Sequence, residues 1–150
     1  MTNEKFIKYY NPTETFKYTN PNPDAKNKKT LVWDRGDCVI RAISLSIGCS
    51  WLEAFDYTAK KGKRDYCIQN DGRFLRKWLV EDGARWVAVK AEKGKKRMTA
   101  KEFALSHKHG HYIINLANHE CACVDGVILD VWNCGEKCVV GYYDMSNFKL

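Results

Sequence analysis

Cys38, His119 and Asp130 are residues of types that together do covalent chemistry, and they occur in an order that suits it. A cysteine attacks as its thiolate. A histidine within hydrogen-bond reach takes the thiol proton and later returns it to a leaving group, provided a carboxylate orients its ring. Such acid–base assistance supplies about 10²–10⁴-fold in rate. Cys38 follows Gly36-Asp37 and opens a run in which Val39, Ile40, Ala42, Ile43 and Ile47 recur at helical spacing, with Asp37 as N-cap and Gly48 as stop. A thiol in the first turn of a helix lies at the positive end of the helix dipole, which favours the thiolate.

A turn signal brings the other two residues together. Val124-Asp125-Gly126-Val127 has the Asp-Gly pair that a two-residue type I′ hairpin loop prefers, because both central positions need positive φ. Val124 then faces Val127, Cys121 faces Asp130 and His119 faces Trp132. Side chains alternate along a strand, so His119, Cys121, Cys123, Ile128, Asp130 and Trp132 share one face, with His119 and Asp130 as diagonal neighbours about 7–8 Å apart at the backbone. The opposite face, with Ala122, Val124, Val127, Leu129 and Val131, is almost wholly apolar and is the expected core face.

Further elements must hold these residues. Ser50-Trp51-Leu52-Glu53 is a capping-box pattern predicting a helix from Trp51 to about Lys61, ended by the basic run 60–64. Phe74, Leu75, Trp78 and Leu79 form a stripe over 72–81 with Gly83 beyond it. Residues 85–90 alternate as a strand, and Thr99-Ala100-Lys101-Glu102 opens a short helix toward His107. Strands are expected at 112–116, 120–124, 127–132 and 137–143. Helices followed by strands read as α+β, with N-terminal helices packed on a C-terminal antiparallel β-sheet. All three prolines lie in residues 1–30, which fit an extended N-terminal arm lying against a domain of residues 31–150.

A chain of 150 residues suits one self-sufficient core, and 45% hydrophobic with 29% charged residues excludes disordered, fibrous and membrane classes. Seven cysteines are an odd number, so a complete disulfide framework is excluded. No secretory signal or membrane-spanning run is visible, which predicts a cytoplasmic protein with reduced thiols and no membrane partner.

Gly36-Asp37-Cys38-Val39-Ile40-Arg41-Ala42-Ile43, then His111-Tyr112-Ile113-Ile114, His119 and Asp125-Gly126-Val127-Ile128-Leu129-Asp130, resemble the papain-like cysteine peptidase superfamily. The likeness is closest to its compact bacterial and phage members of the bacteriocin-processing type. The resemblance implies a nucleophilic Cys38 at the start of a buried helix, His119 as general base and acid, and Asp130 as orienter. It implies hydrolysis of a peptide, isopeptide or other amide bond in a protein or peptide substrate, with no cofactor and no metal. The oxyanion would be held by the Cys38 backbone N–H and a second donor. That second donor is unidentified, because Val32 stands where the superfamily has glutamine and the only Gln of the chain is Gln69. Trp33, Trp132 and the N-terminal arm are candidates to line or cover the cleft.

Several alternatives stand beside this reading. Cys38 also fits a small buried hydrophobe, His119 a structural histidine and Asp130 a strand-end cap. A zinc site from His119, Cys121, Cys123 and Asp130, with Cys134 and Cys138 just beyond, is the rival constellation. Ligands at i and i+2 on a regular strand stand wide for it. His111 is a fallback base, and the basic segments 60–64 and 93–97 suit phosphate contacts. A catalytically silent papain-like fold that binds a protein or nucleic acid is the competing function, with nucleic acid the less favoured partner.

Overall fold

The computed structural model describes residues 8–26 and 35–150. Trp33 and Val32 lie outside the described residues. Among the described residues the chain forms β1 (Phe16–Tyr18), α1 (Cys38–Ile47), α2 (Trp51–Asp65), α3 (Gly72–Glu81), β2 (Arg85–Ala88), α4 (Ala100–Ser106), β3 (His111–Leu116), β4 (His119–Val124), β5 (Val127–Asp130) and β6 (Val139–Asp144). The strands make one six-stranded sheet in the order β1-β5-β4-β3-β6-β2. The architecture is α+β, as the order of helical and strand patterns predicts.

The Asp-Gly turn sets the expected register. Asp125 has φ 48° and Gly126 φ 80°, and β4 pairs with β5 as Val124 to Val127, Cys123 to Ile128 and Ala122 to Leu129. One expectation about this hairpin is overturned, since both of its faces are covered. Ile113 and Tyr143 pack against Val39, Ile40 and Ile43 of α1 and against Leu75 and Leu79 of α3. On the other side Ile114, Cys121, Cys123 and Ile128 pack with Phe16, Phe103, Ala104 and Cys134. Cys121, Cys123 and Ile128 are fully buried, whereas Val124, Val127 and Leu129 of the expected core face are half-buried. The second layer comes from α4 and the N-terminal segment, and a sheet covered on both faces buries both residue sets.

The N-terminal segment also departs from the expected arm. Phe16–Tyr18 runs parallel to β5 along Ile128, Leu129 and Asp130, so the sheet is mixed rather than antiparallel throughout. Thr19 N–H to Asp130 O at 2.9 Å and Ile128 N–H to Thr15 O at 2.7 Å extend this ladder. Phe16 explains the docking, because its ring is 0% exposed, and burying an aromatic side chain stabilises by roughly 1.5–3 kcal/mol.

Helix α1 begins at Cys38 and ends at Gly48 in the left-handed region, φ 74°. Helix α2 runs a turn beyond its expected end, because Tyr66 rather than the basic run caps it, its N–H reaching Gly62 O. Residues 60–64 therefore lie within the helix, where Lys61 meets Glu81 and Asp82 while Arg64 meets Asp65 and Glu81. Cations at a helix C-terminus also suit its dipole. No described helix is long and apolar enough to cross a membrane.

Candidate active site

Asp37 precedes α1, yet its side chain makes no cap hydrogen bond. Its carboxylate instead accepts from Arg41, from Trp51 Nε1 at 2.8 Å and from Asn22 Nδ2 at 3.1 Å. The capping acceptor comes from a distant segment, where Asn70 Oδ1 takes the Val39 N–H at 2.9 Å. Cys38 is thus held in the first turn of α1 with the Asn70 amide beside it, Nδ2 standing 3.8 Å from Sγ. Burial pushes the Cys38 thiol up. Hydrogen bonds with His119 and with the Glu120 backbone N–H, and the charges of His119 and Arg41, pull it further down, so the net shift is below the ordinary thiol value.

His119 opens β4, and its Nε2 lies 2.5 Å from Asp130 Oδ2. This is the diagonal contact expected from the register. Burial lowers the imidazole's proton affinity, but hydrogen bonds with Asp130, Cys134 and Cys38 and the Asp130 charge raise it more, to about 12. With Nε2 committed to Asp130, Nδ1 is the nitrogen available to the Cys38 thiol. The Trp132 ring lies 5.1 Å from the imidazole, centroid to centroid, and so walls the side of the pair.

Asp130 is itself fixed from several directions. Oδ1 accepts the Val131 N–H at 2.7 Å and stands 3.5 Å from Arg41. The Cys134 Sγ lies 3.6 Å from Oδ2. Arg41 therefore bridges the two buried carboxylates of Asp37 and Asp130. A buried ion pair of this kind holds geometry well and is costly to break from one side.

Cys38 and His119 line a cleft of about 710 Å³ together with Asn70, Asn115 and Glu120. Glu120 follows His119 and is nearly buried. Asn115 Nδ2 donates to its Oε1, while Oε2 has no partner among the described residues. Burial raises this carboxyl to about 8, outweighing the Asn115 hydrogen bond. Sequence reasoning missed Asn70, Arg41, Asn115 and Glu120. A cation four residues after Asp37 inside an apolar helix was the available signal for Arg41, and the hairpin parity placed Glu120 on the face opposite His119. Nothing local marks Asn70.

The rival constellations are distributed differently from their expectation. His119, Asp130 and Cys134 offer ligand atoms within 4.8 Å of one another. Cys121 and Cys123, expected in that group, are buried in the same apolar cluster as Cys134 but do not belong to this set of ligand atoms, and Cys138 is exposed. The 2.5 Å between Nε2 and Oδ2 is hydrogen-bond spacing. Two ligands of one tetrahedral zinc with bonds near 2.1 Å stand roughly 3.4 Å apart. His111, the fallback base, pairs with Val124 at the far end of β3 from His119, and its Nδ1 meets Ser46 O at 2.6 Å. It does not meet Cys38. In the 93–97 segment Lys95 pairs with Glu92 at 2.7 Å.

The arrangement is a thiol with a lowered proton affinity, an imidazole steered by a carboxylate, and an open cleft beside both. No family model, curated protein or solved structure matches the chain.

Proposed function

We propose that this chain carries out cysteine-dependent acyl transfer, most simply hydrolysis of a peptide, isopeptide or other amide bond, in the manner of the papain-like peptidases it resembles. The observation that carries the reading is the 2.5 Å contact of His119 Nε2 with Asp130, at a cleft that His119 and the Cys38 thiol both line. Against burial, that thiol is held below its ordinary value by His119, the Glu120 backbone N–H and Arg41 together. The hairpin turn and the α1 N-terminus, two independent features of the sequence, converge on it.

In this reading the Cys38 thiolate attacks the carbonyl carbon, and the carbonyl π pair moves onto oxygen to give a tetrahedral intermediate. That intermediate collapses by breaking the carbon–nitrogen bond, and the imidazolium of His119 gives its proton to the departing amine. A thioester remains on Cys38. Water then attacks as His119 takes its proton, and the carbon–sulfur bond breaks to return the thiolate and release the acid. Asp130 keeps the ring turned so that the same nitrogen serves both steps.

Alkylation of the native protein with iodoacetamide in mildly acidic buffer, read by peptide mass spectrometry, tests this. Cys38 is expected to react ahead of the other thiols, and His119→Ala to slow it by about 10²-fold or more. Labelling of several thiols at similar rates would overturn the reading and leave a protein- or nucleic-acid-binding module as the function.

A further inference from the structure

Acyl transfer through Cys38 requires donors for the oxygen that becomes negative in the tetrahedral intermediate, and such donors are commonly the largest single contribution to rate. The Cys38 backbone N–H is one, because a first-turn N–H has no carbonyl of its own helix to bind. The geometry points to the side-chain amide of Asn70 as the second. This inference rests on the acyl-transfer reading and adds a catalytic residue to it.

Three observations carry it. The first is position: Asn70 Nδ2 stands 3.8 Å from Cys38 Sγ, and the oxyanion lies only two bonds beyond that sulfur, S–C and then C–O. A donor there comes within the 2.7–3.1 Å that oxyanion stabilisation requires once substrate is attached. The second is orientation. Oδ1 accepts the Val39 N–H at 2.9 Å, and turning the amide over would set an N–H against an N–H. The amide lies side-on to the thiol, Nδ2 at 3.8 Å and Oδ1 at 4.0 Å, and with Oδ1 taken by Val39 the nitrogen is the end that offers free N–H donors there.

The third observation is rigidity. Asn70 lies between α2 and α3, in a stretch held by Cys67 N–H to Gly62 O at 3.0 Å and Asp71 N–H to Ile68 O at 3.0 Å. Asp71 then caps α3 through the Arg73 N–H. The stretch sits close against Gly62, where a Cβ would come 2.7 Å from Cys67 O, so a glycine in α2 lets the segment approach. Preorganised donors of this kind do not reorient during the reaction. Of the other amides lining the cleft, Asn115 is already committed to Glu120, and Asn118 is exposed in the turn between β3 and β4.

Alkylation and acylation separate this role from a structural one. Attack on iodoacetamide displaces iodide and creates no oxyanion, whereas attack on p-nitrophenyl acetate creates one before nitrophenolate leaves. In Asn70→Ala the alkylation rate of Cys38 should stay within about threefold of wild type while the nitrophenolate burst slows by about 10²-fold. Asn70→Asp keeps an acceptor for the Val39 N–H and loses both donors. It should show the same fall in the ratio of acylation to alkylation, a ratio that cancels any change in thiol ionisation. Parallel loss of both rates, or no loss of either, overturns the assignment. So does a wild-type protein that is alkylated selectively at Cys38 but never acylated. Absence of selective alkylation in the wild type is a different result and overturns the acyl-transfer reading itself.

Discussion

Arg41 shows how much of the site depends on one buried side chain. Its guanidinium, 2% exposed, meets Asp37 at one nitrogen and lies 3.5 Å from Asp130 at another. Replacing it with methionine fills the volume but removes the cation that the two buried carboxylates share. The expected cost is about 3–5 kcal/mol, read as a lowered urea midpoint, together with slower alkylation of Cys38 because Asp130 then holds His119 less firmly. Residue by residue, the site divides by the distance over which its contacts form. Cys38 was legible because a helix start is written locally, and His119 with Asp130 because one turn sets their register. Asp37 was legible as a helix-start residue but not as the anchor of Arg41, Trp51 and Asn22. Asn70 had no mark, since its relation to Val39 depends on how the segment between α2 and α3 folds back onto α1.

At the scale of elements, capping boxes located α2 and α4, apolar stripes α1 and α3, and the Asp-Gly turn the central hairpin. Both α2 and α4 begin with reciprocal capping boxes at Ser50 and Thr99. What stayed hidden was β1, three residues in a stretch rich in Pro, Asn and Thr, whose partner lies near the other end of the chain. Its hydrogen-bond ladder ends on Asp130, so the strand steadies the element that carries the carboxylate. Phe16→Ala is expected to cost about 3–5 kcal/mol by equilibrium denaturation. It should also raise amide exchange in β5 before it does so in β3, because β5 alone loses a neighbouring strand. The second buried face of the sheet was illegible for the same reason. The residues that cover it are separated in sequence from the strands they meet, and alternation alone does not reveal a second layer.

Across the whole molecule, proton binding follows from burial at the site. Glu120 has its affinity raised from 4.5 to about 8, so the folded chain keeps a proton that the unfolded chain releases. Stability is therefore expected to fall as pH rises from about 4.5 toward 8. His119, raised from 6.5 to about 12, contributes stability in full below 6.5, and that contribution declines as pH rises toward 12. Between pH 5 and 6.5 the Glu120 contribution stands alone on this rising side, and Glu120→Gln should flatten the dependence of the urea midpoint there. Cys38 titrates the opposite way, below its ordinary value. Its alkylation should persist into acid in which an ordinary thiol slows about tenfold per pH unit.

The parallel pairing of Phe16–Tyr18 with Ile128, Leu129 and Asp130 also imposes an order of events in time. The β4–β5 hairpin closes over a short loop, but β1 must wait through synthesis of all the residues between Tyr18 and Ile128 before its partner strand exists. Contacts this far apart in sequence form slowly, because the loop-closure entropy comes before the contacts compensate for it. Until then the Phe16 ring has no core to enter and the far edge of β5 is open. A ribosome-bound chain therefore carries Cys38 long before the carboxylate that completes the trio is secured.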